Sequence, residues 1–168
     1  MLFAGIFLLV FVPMVLEARL SNRNDRALRA AGAIEPAGDV YQVMQIAYPM
    51  SFLLPLGESL MRARHTPAIT AAGLAVFLLA KGLKYWAITT LGPRWTFRVL
   101  VPPASSRTVA GPYVYLRHPN YVAVAGEIAG VMLMTQSWTS GALMLIVFTL
   151  LMRARIRVEE RALGMERT

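Results

Sequence analysis

Five apolar runs, separated by short polar stretches, restrict this chain more than any other feature. Residues 2–16 carry no charged side chain. Further runs fill 40–60, 67–90 and 119–134, and a fifth starts near 141 and leads into a charged tail from Arg153. With 57% hydrophobic residues and a mean hydropathy of +0.53, the chain is too apolar for an ordinary soluble domain. Backbone groups inside a bilayer must be satisfied within the protein, so the runs read as helices. The fold class is an all-α integral membrane protein with about five transmembrane helices, the last two a helical hairpin. The chain reads as a single domain, 1–168, with three N-terminal helices in 1–90 and a loop, hairpin and charged tail in 91–168.

Several function classes drop out. There is no cysteine, so there is neither a disulfide framework nor a thiolate ligand or nucleophile. The two histidines, His65 and His118, lie far apart in sequence, and no metal site is expected. The net charge of +8 raises the question of nucleic acid. The basic residues flank apolar runs instead of forming a binding patch, so no nucleic-acid partner is expected.

In chain order, the first run ends at Glu17 and Arg19. No basic residue precedes it and no small-x-small site follows it, so a retained helix is expected, not a signal peptide. Residues 21–31 read as a separate surface helix capped at Ser21 or Asn22 and ended by Gly32 and Pro36. The second run has a polar first half, with Tyr41, Gln42, Gln45 and Tyr48, and two kinking prolines, Pro49 and Pro55. Polar groups in a membrane helix face protein or a cavity, so they either bond between helices or touch substrate. His65 reads as an exposed loop residue without a role. Pro67 opens the third helix. Lys81 and Lys84 read as snorkelling to the interface beside Tyr85 and Trp86, with pocket lining as the alternative. Residues 92–117 form the longest loop, in which Trp95 and Phe97 suit interfacial anchoring and the length suits function. Gly126 and Gly130 permit close helix approach. Glu127 is an intramembrane carboxylate and hence a functional candidate, its structural alternative being a bond that pins helix packing. Asn120 and Glu127, seven apart, share a helix face.

Counting Lys and Arg orients the chain. The stretches after the first and third helices hold four each and the tail from Arg153 holds five, against two after the second helix and none in the hairpin turn. With five spans, the N-terminus is outside, and the long loop and the tail share the cytoplasmic side.

The densest polar cluster in the chain is Gly111-Pro112-Tyr113-x-Tyr115-x-Arg117-His118-Pro119-Asn120-Tyr121. An apolar hairpin follows, then Arg155-Ile156-x-x-Glu159-Glu160-x-x-Leu163. This two-part pattern resembles the isoprenylcysteine carboxyl methyltransferase family. Two matches in order, with a hairpin between, are far more specific than the Arg-His-Pro-Asn-Tyr string alone, which similar membrane sterol reductases and phospholipid methyltransferases also carry. The resemblance implies an integral membrane O-methyltransferase using S-adenosylmethionine, with its cofactor pocket on the cytoplasmic side, here of a bacterial inner membrane. It implies cofactor contacts from Tyr113, His118, Pro119, Asn120, Tyr121 and Glu159. Ser105, Ser106, Arg107 and Thr108 match a cofactor-contacting segment by spacing only. Arg155 is implied to face the acceptor.

The residue chemistry agrees. Tyr113, Tyr121 and His118 suit a flat adenine and a ribose, and Glu159 suits an ammonium or a place near a sulfonium. Arg155 and Glu159 form an i, i+4 pair, which alone would be a solvated salt bridge of little value. In-line methyl transfer mainly needs alignment and exclusion of water. Arg155 would orient a carboxylate acceptor by a forked hydrogen bond. A phenol or enol acceptor must lose a proton, and Glu127, Glu160 and His118 remain open as takers. The stretch Glu17-x-Arg19-x-Ser21-x-Arg23-Asn24 with Gly32-Ala33-x-Glu35 is similar to bacterial family members, which include O-methyltransferases of long-chain alkylpyrones and alkylresorcinols. The expected partners are therefore membrane lipids and a lipophilic acceptor of prenylcysteine or alkylpyrone/alkylresorcinol type. Two rivals stand beside this reading. An NADPH-dependent sterol or enone reductase needs more spans and a longer nucleotide-contacting region. A non-catalytic membrane scaffold gives no reason for the terminal Arg-Ile-x-x-Glu-Glu pattern.

Overall fold

The computed structural model describes residues 2–61, 65–103 and 108–162, without the side chain of Leu2. Among them are five helices: α1 (Leu2–Ala30), α2 (Tyr41–Leu60), α3 (Pro67–Leu91), α4 (Pro119–Thr135) and α5 (Trp138–Ala162). Short 3-10 turns at Gly92–Arg94 and Gly111–Val114 flank the long loop. Two helical stretches, Phe3–Ala30 and Pro67–Arg94, are long and apolar enough to cross a membrane. Leu8, Val12 and Leu16 on α1, Ile46 and Leu54 on α2, Leu78 and Leu79 on α3, and Ile146 and Leu150 on α5 are exposed. Apolar belts on several helices at once are what lipid contact requires and water does not favour.

The core lies where α2, α3, α4 and α5 meet. Phe52 and Leu56, Phe77, Ile128 and Val131, and Phe148 and Met152 fill it, with Ile6 and Val10 from α1. The most extensive packing is between α3 and α4. It depends on missing side chains: a Cβ on Gly130 would lie 2.7 Å from the Phe77 amide nitrogen, and one on Gly73 would lie 2.4 Å from that of Met134. Both contacts are to backbone, which cannot swing away. A Cβ on Gly126 would lie 2.9 Å from the Ala80 Cβ, so the Gly126/Gly130 pair faces α3.

Three local expectations need correction. α1 does not stop near residue 16. It runs 29 residues, roughly 44 Å, well beyond a ~30 Å hydrocarbon core. Glu17, Ser21, Asn24 and Leu28 form one buried stripe at helical spacing, so the polar half of α1 packs on protein instead of breaking. Ser21 and Asn22 therefore cap nothing, and Ser21 and Asn24 hold the long loop. Ser21 Oγ accepts from the Phe97 amide at 2.7 Å, and Asn24 Nδ2 donates to the carbonyls of Trp95 at 2.8 Å and Gly92 at 3.2 Å. Second, His65 is half-buried, its Nε2 lying 2.9 Å from Ser59 Oγ. Third, Lys81 and Lys84 do not snorkel. They are 7% and 1% exposed and pair with Glu17 and Glu127.

The loop between α3 and α4 is tied down on the α1–α2 connection. Ile34 and Val101 exchange both backbone hydrogen bonds, at 3.1 and 3.0 Å. Glu35 accepts from Arg98 at 2.8 Å and also from Arg29. Asp39 Oδ2 accepts from the Val99 amide at 3.1 Å. Gly111 has φ +54°, and a Cβ there would lie 2.3 Å from Thr90 Oγ1. The motif thus starts on a residue that L side chains cannot replace without strain.

Candidate active site

The two halves of the motif meet. His118 sits just before α4, with Pro119 in the first turn, where its missing N–H costs nothing. Tyr121, three residues on, turns its ring toward the last turns of α5. Its phenol donates to Glu159 Oε2 at 2.9 Å and accepts from Arg155 Nε at 3.0 Å. His118 packs on Tyr121 with ring centroids 5.5 Å apart, and its Nδ1 lies 3.8 Å from Glu159 Oε2. Its Nε2 lies 3.3 Å from Glu160 Oε1, which also accepts from Arg117 at 3.3 Å.

A pocket of about 120 Å³ opens in front of this cluster. Tyr113, His118, Asn120, Tyr121, Arg155 and Glu159 line one side. The tied-down loop lines the other, with Arg94, Trp95, Thr96 and Arg98 among its residues. Burial, with the Glu159 charge adding to it, pushes the Tyr113 phenol above its ordinary value and keeps it a proton donor. A larger cleft of about 330 Å³ adjoins, walled by α1, α2, α4 and α5, with Lys84 of α3 and Thr96 and Phe97 of the long loop. Thr96, Asn120, Tyr121 and Arg155 line both spaces. A polar pocket thus meets a largely apolar cleft, with Arg155 at the junction.

Arg155 is 5% exposed. Asp39 Oδ1 lies 3.8 Å from its Nη1, and the Asp39 side chain is 4% exposed. Met44 Sδ stands 3.8 Å from the same nitrogen. A guanidinium held by a phenol, a carboxylate and a thioether cannot swing freely, so its remaining N–H groups keep one direction.

Of the expected site residues, Tyr113, His118, Asn120, Tyr121, Arg155 and Glu159 come together at one pocket. Pro119 is buried beneath them. Thr108 is half-buried and does not line the pocket. Ser105, Ser106 and Arg107 lie outside the described residues. Glu127 is elsewhere. It is wholly buried, lines neither space, and pairs with Lys81 at 3.1 Å and Lys84 at 3.4 Å. Sequence reasoning missed Asp39, Arg94, Trp95 and Arg98. Trp95 and Phe97 looked like interfacial anchors, and nothing local tells an aromatic at a headgroup from one in a loop pocket. Asp39 is 116 residues from Arg155, and no spacing rule reaches that far.

Among the described residues, five helices with exposed apolar faces hold an aromatic and carboxylate pocket that adjoins a larger, more apolar cleft, an arrangement suited to a membrane enzyme. Residues 72–165, more than half the chain, match the isoprenylcysteine carboxyl methyltransferase (ICMT) family. The chain belongs to that family of membrane methyltransferases. It is 29% identical over 155 residues to the uncharacterized protein YpbQ of Bacillus subtilis, covering 92% of each chain. An uncharacterized protein of Haemophilus influenzae is 26% identical over 166 residues, 98% of this chain and 96% of its own. The nickel-cobalt-cadmium resistance protein NccN of Alcaligenes xylosoxydans xylosoxydans is 33% identical over 92 residues, 54% of this chain and 43% of its own. No solved structure matches.

Proposed function

We propose that the chain is an S-adenosylmethionine-dependent O-methyltransferase of a lipophilic acceptor, working at the cytoplasmic face of a bacterial inner membrane with five spans and its N-terminus outside. The observation that carries this reading is the junction at Arg155 and Tyr121, shared by a polar pocket and a larger apolar cleft.

The residues fit the cofactor. Tyr113, Trp95 and the His118–Tyr121 pair offer flat faces and donors for adenine and ribose. Glu159 offers a carboxylate for an ammonium or sulfonium, and Arg94 and Arg98 offer cations for a carboxylate. When bound, the cofactor supplies an electrophilic methyl group. The protein's task is then alignment and exclusion of water. Tyr121 fixes Glu159 and Arg155 relative to each other through one phenolic oxygen. Asp39 holds the Arg155 guanidinium from behind. The remaining Arg155 N–H groups hold the acceptor oxygen, either a prenylcysteine-type carboxylate, which is already ionised, or a long-chain alkylpyrone or alkylresorcinol hydroxyl, which gives up its proton to His118 at the pocket or to Glu160 beside it. Glu127 acts at a distance, through Lys81, Lys84 and Tyr48, whose phenol donates to it at 2.6 Å.

The test uses the purified full chain in lipid nanodiscs. Calorimetry should give saturable S-adenosylmethionine binding, and labelled methyl should pass to at least one acceptor among prenylcysteine, alkylpyrone and alkylresorcinol. Binding of NADPH with no binding of S-adenosylmethionine would overturn the reading.

A further inference from the structure

Two helices carry the same outward stripe, apolar along one length and arginine along the next. On α1 it runs Leu8, Val12, Val15, Arg19, Arg23 and Arg26, all exposed. On α5 it runs Leu143, Ile146, Leu150, Arg153 and Arg157, all exposed. Every step is three or four residues, so each stripe keeps within roughly 80° of its helix surface. The opposite face of α1 is the buried one, with Glu17, Ser21, Asn24 and Leu28.

The change from apolar to basic falls at one level. Glu17, two residues before Arg19, reaches Lys84 at 2.6 Å. Tyr85 and Trp86, next along α3, are exposed, as aromatics at a membrane–water boundary are. Asn22 of α1 and Arg155 of α5 line one cleft, so the two sets of arginines belong to the same end of the bundle. The apolar part of each stripe lies at the depth of acyl chains, and the arginines at the depth of headgroups.

These guanidiniums have no carboxylate to pair with. Among the described residues, Arg19, Arg23, Arg153 and Arg157 make no ion pair, and Arg26 donates only to the Asn22 carbonyl of its own helix, at 3.3 Å. The described carboxylates at this end are engaged elsewhere. Asp25 and Glu35 hold Arg29, Glu35 also holds Arg98, Asp39 faces Arg155, Glu159 takes the Tyr121 proton and Glu160 pairs with Arg117. Five unopposed cations at headgroup depth favour a lipid of net negative charge over a zwitterionic one. An acidic protein would match the arginines but not the apolar half of each stripe. We propose that the two stripes bind the phosphodiester headgroups of anionic phospholipids, whose acyl chains lie along the apolar half of the same face. This rests on the membrane placement proposed above and not on methyl transfer. The α1 stripe backs onto Ser21 and Asn24, which hold the pocket-lining loop, so the lipid site lies about one helix diameter, ~10 Å, from that anchor.

The purified full chain is placed in nonionic detergent doped with equal amounts of phosphatidylglycerol and phosphatidylcholine of matched acyl chains, and bound lipids are counted by native mass spectrometry. Wild type should retain the anionic lipid roughly fivefold or more over the zwitterionic one. The combined variant Arg19→Gln, Arg23→Gln, Arg26→Gln, Arg153→Gln and Arg157→Gln should bring the ratio to about one. The corresponding Arg→Lys variant keeps the charges and should keep most of the preference, which separates lost charge from a damaged fold. Equal retention of the two lipids by wild type, a preference that survives the Gln changes, or equal loss in the Gln and Lys variants overturns the proposal. Displacement of the lipid by inorganic phosphate at matched concentration also overturns it, marking a site for the free anion. Alkaline carbonate extraction judges the membrane placement separately, since a chain that stays in the membrane pellet yet shows no lipid preference fails this proposal alone.

Discussion

Tyr121, on the first turn of α4, donates its phenolic proton to Glu159, near the end of α5, across 2.9 Å. The same oxygen takes a hydrogen bond from Arg155 at 3.0 Å. One hydroxyl therefore joins the group assigned to the cofactor with the group assigned to the acceptor, and several expectations follow from that geometry.

Arg155→Ala should lower kcat by at least a hundredfold while S-adenosylmethionine affinity changes by less than about threefold. Glu159→Ala should do the reverse, weakening cofactor binding by roughly tenfold or more, as expected for a hydrogen bond to a charged group. Radiolabelled methyl transfer and calorimetry measure the two quantities independently. Wild-type behaviour of both variants would contradict the assigned roles.

Tyr121→Phe keeps the ring against His118 and removes only the shared oxygen. Turnover should fall roughly tenfold with little loss of thermal stability. Tyr121→Ala should cost stability as well, since the ring contact goes too. Melting curves taken beside kinetic assays separate the effects.

The neutral cluster of Glu17, Lys81, Lys84 and Glu127 should respond to charge balance. Glu127→Leu leaves two buried ammonium groups facing one carboxylate and should destabilise by about 3–5 kcal/mol. Adding Lys81→Met restores neutrality, so the double variant should be more stable than the sum of the singles by more than ~1 kcal/mol. Thermal unfolding in detergent across the four proteins would show it. Strict additivity would mean that the groups do not act together.

Glu35 carries the pH dependence of the loop clamp. Burial acts to raise its carboxyl, but the hydrogen bonds and charges of Arg29 and Arg98 outweigh it and hold the group below the usual carboxylate value. A folded value below the unfolded one stabilises above the ordinary carboxylate range, and this contribution is lost as pH falls through the lowered value. Protection of the Val99 and Val101 amides, taken relative to their intrinsic exchange rate at each pH, should therefore fall on acidification below about pH 4. In Glu35→Gln that protection should be low already at neutral pH and change little with acid.

Gly130→Ala should test the α3–α4 seam. Its new Cβ would sit 2.7 Å from the Phe77 backbone nitrogen. The helices must separate, at a cost of about 1–3 kcal/mol, read as a lower melting temperature. Gly82→Ala, where a Cβ meets nothing within 4 Å, is the control and should be neutral or slightly stabilising.

The sequence by itself determined the helices and the motif. Apolar runs and prolines placed α2 through α5 close to their observed limits, because those signals are local. The two-part motif held six residues that line one pocket, and Gly126 and Gly130 marked the closest helix contact. Long-range partners were decided only by the tertiary structure. Glu17 looked like the end of a span because its lysine partners lie 64 and 67 residues away. For the same reason Lys81 and Lys84 looked like interface residues, and nothing in the sequence marked Asp39 as a partner of Arg155. The energy of a buried charge depends on what surrounds it in space, and a linear reading holds only its neighbours along the chain.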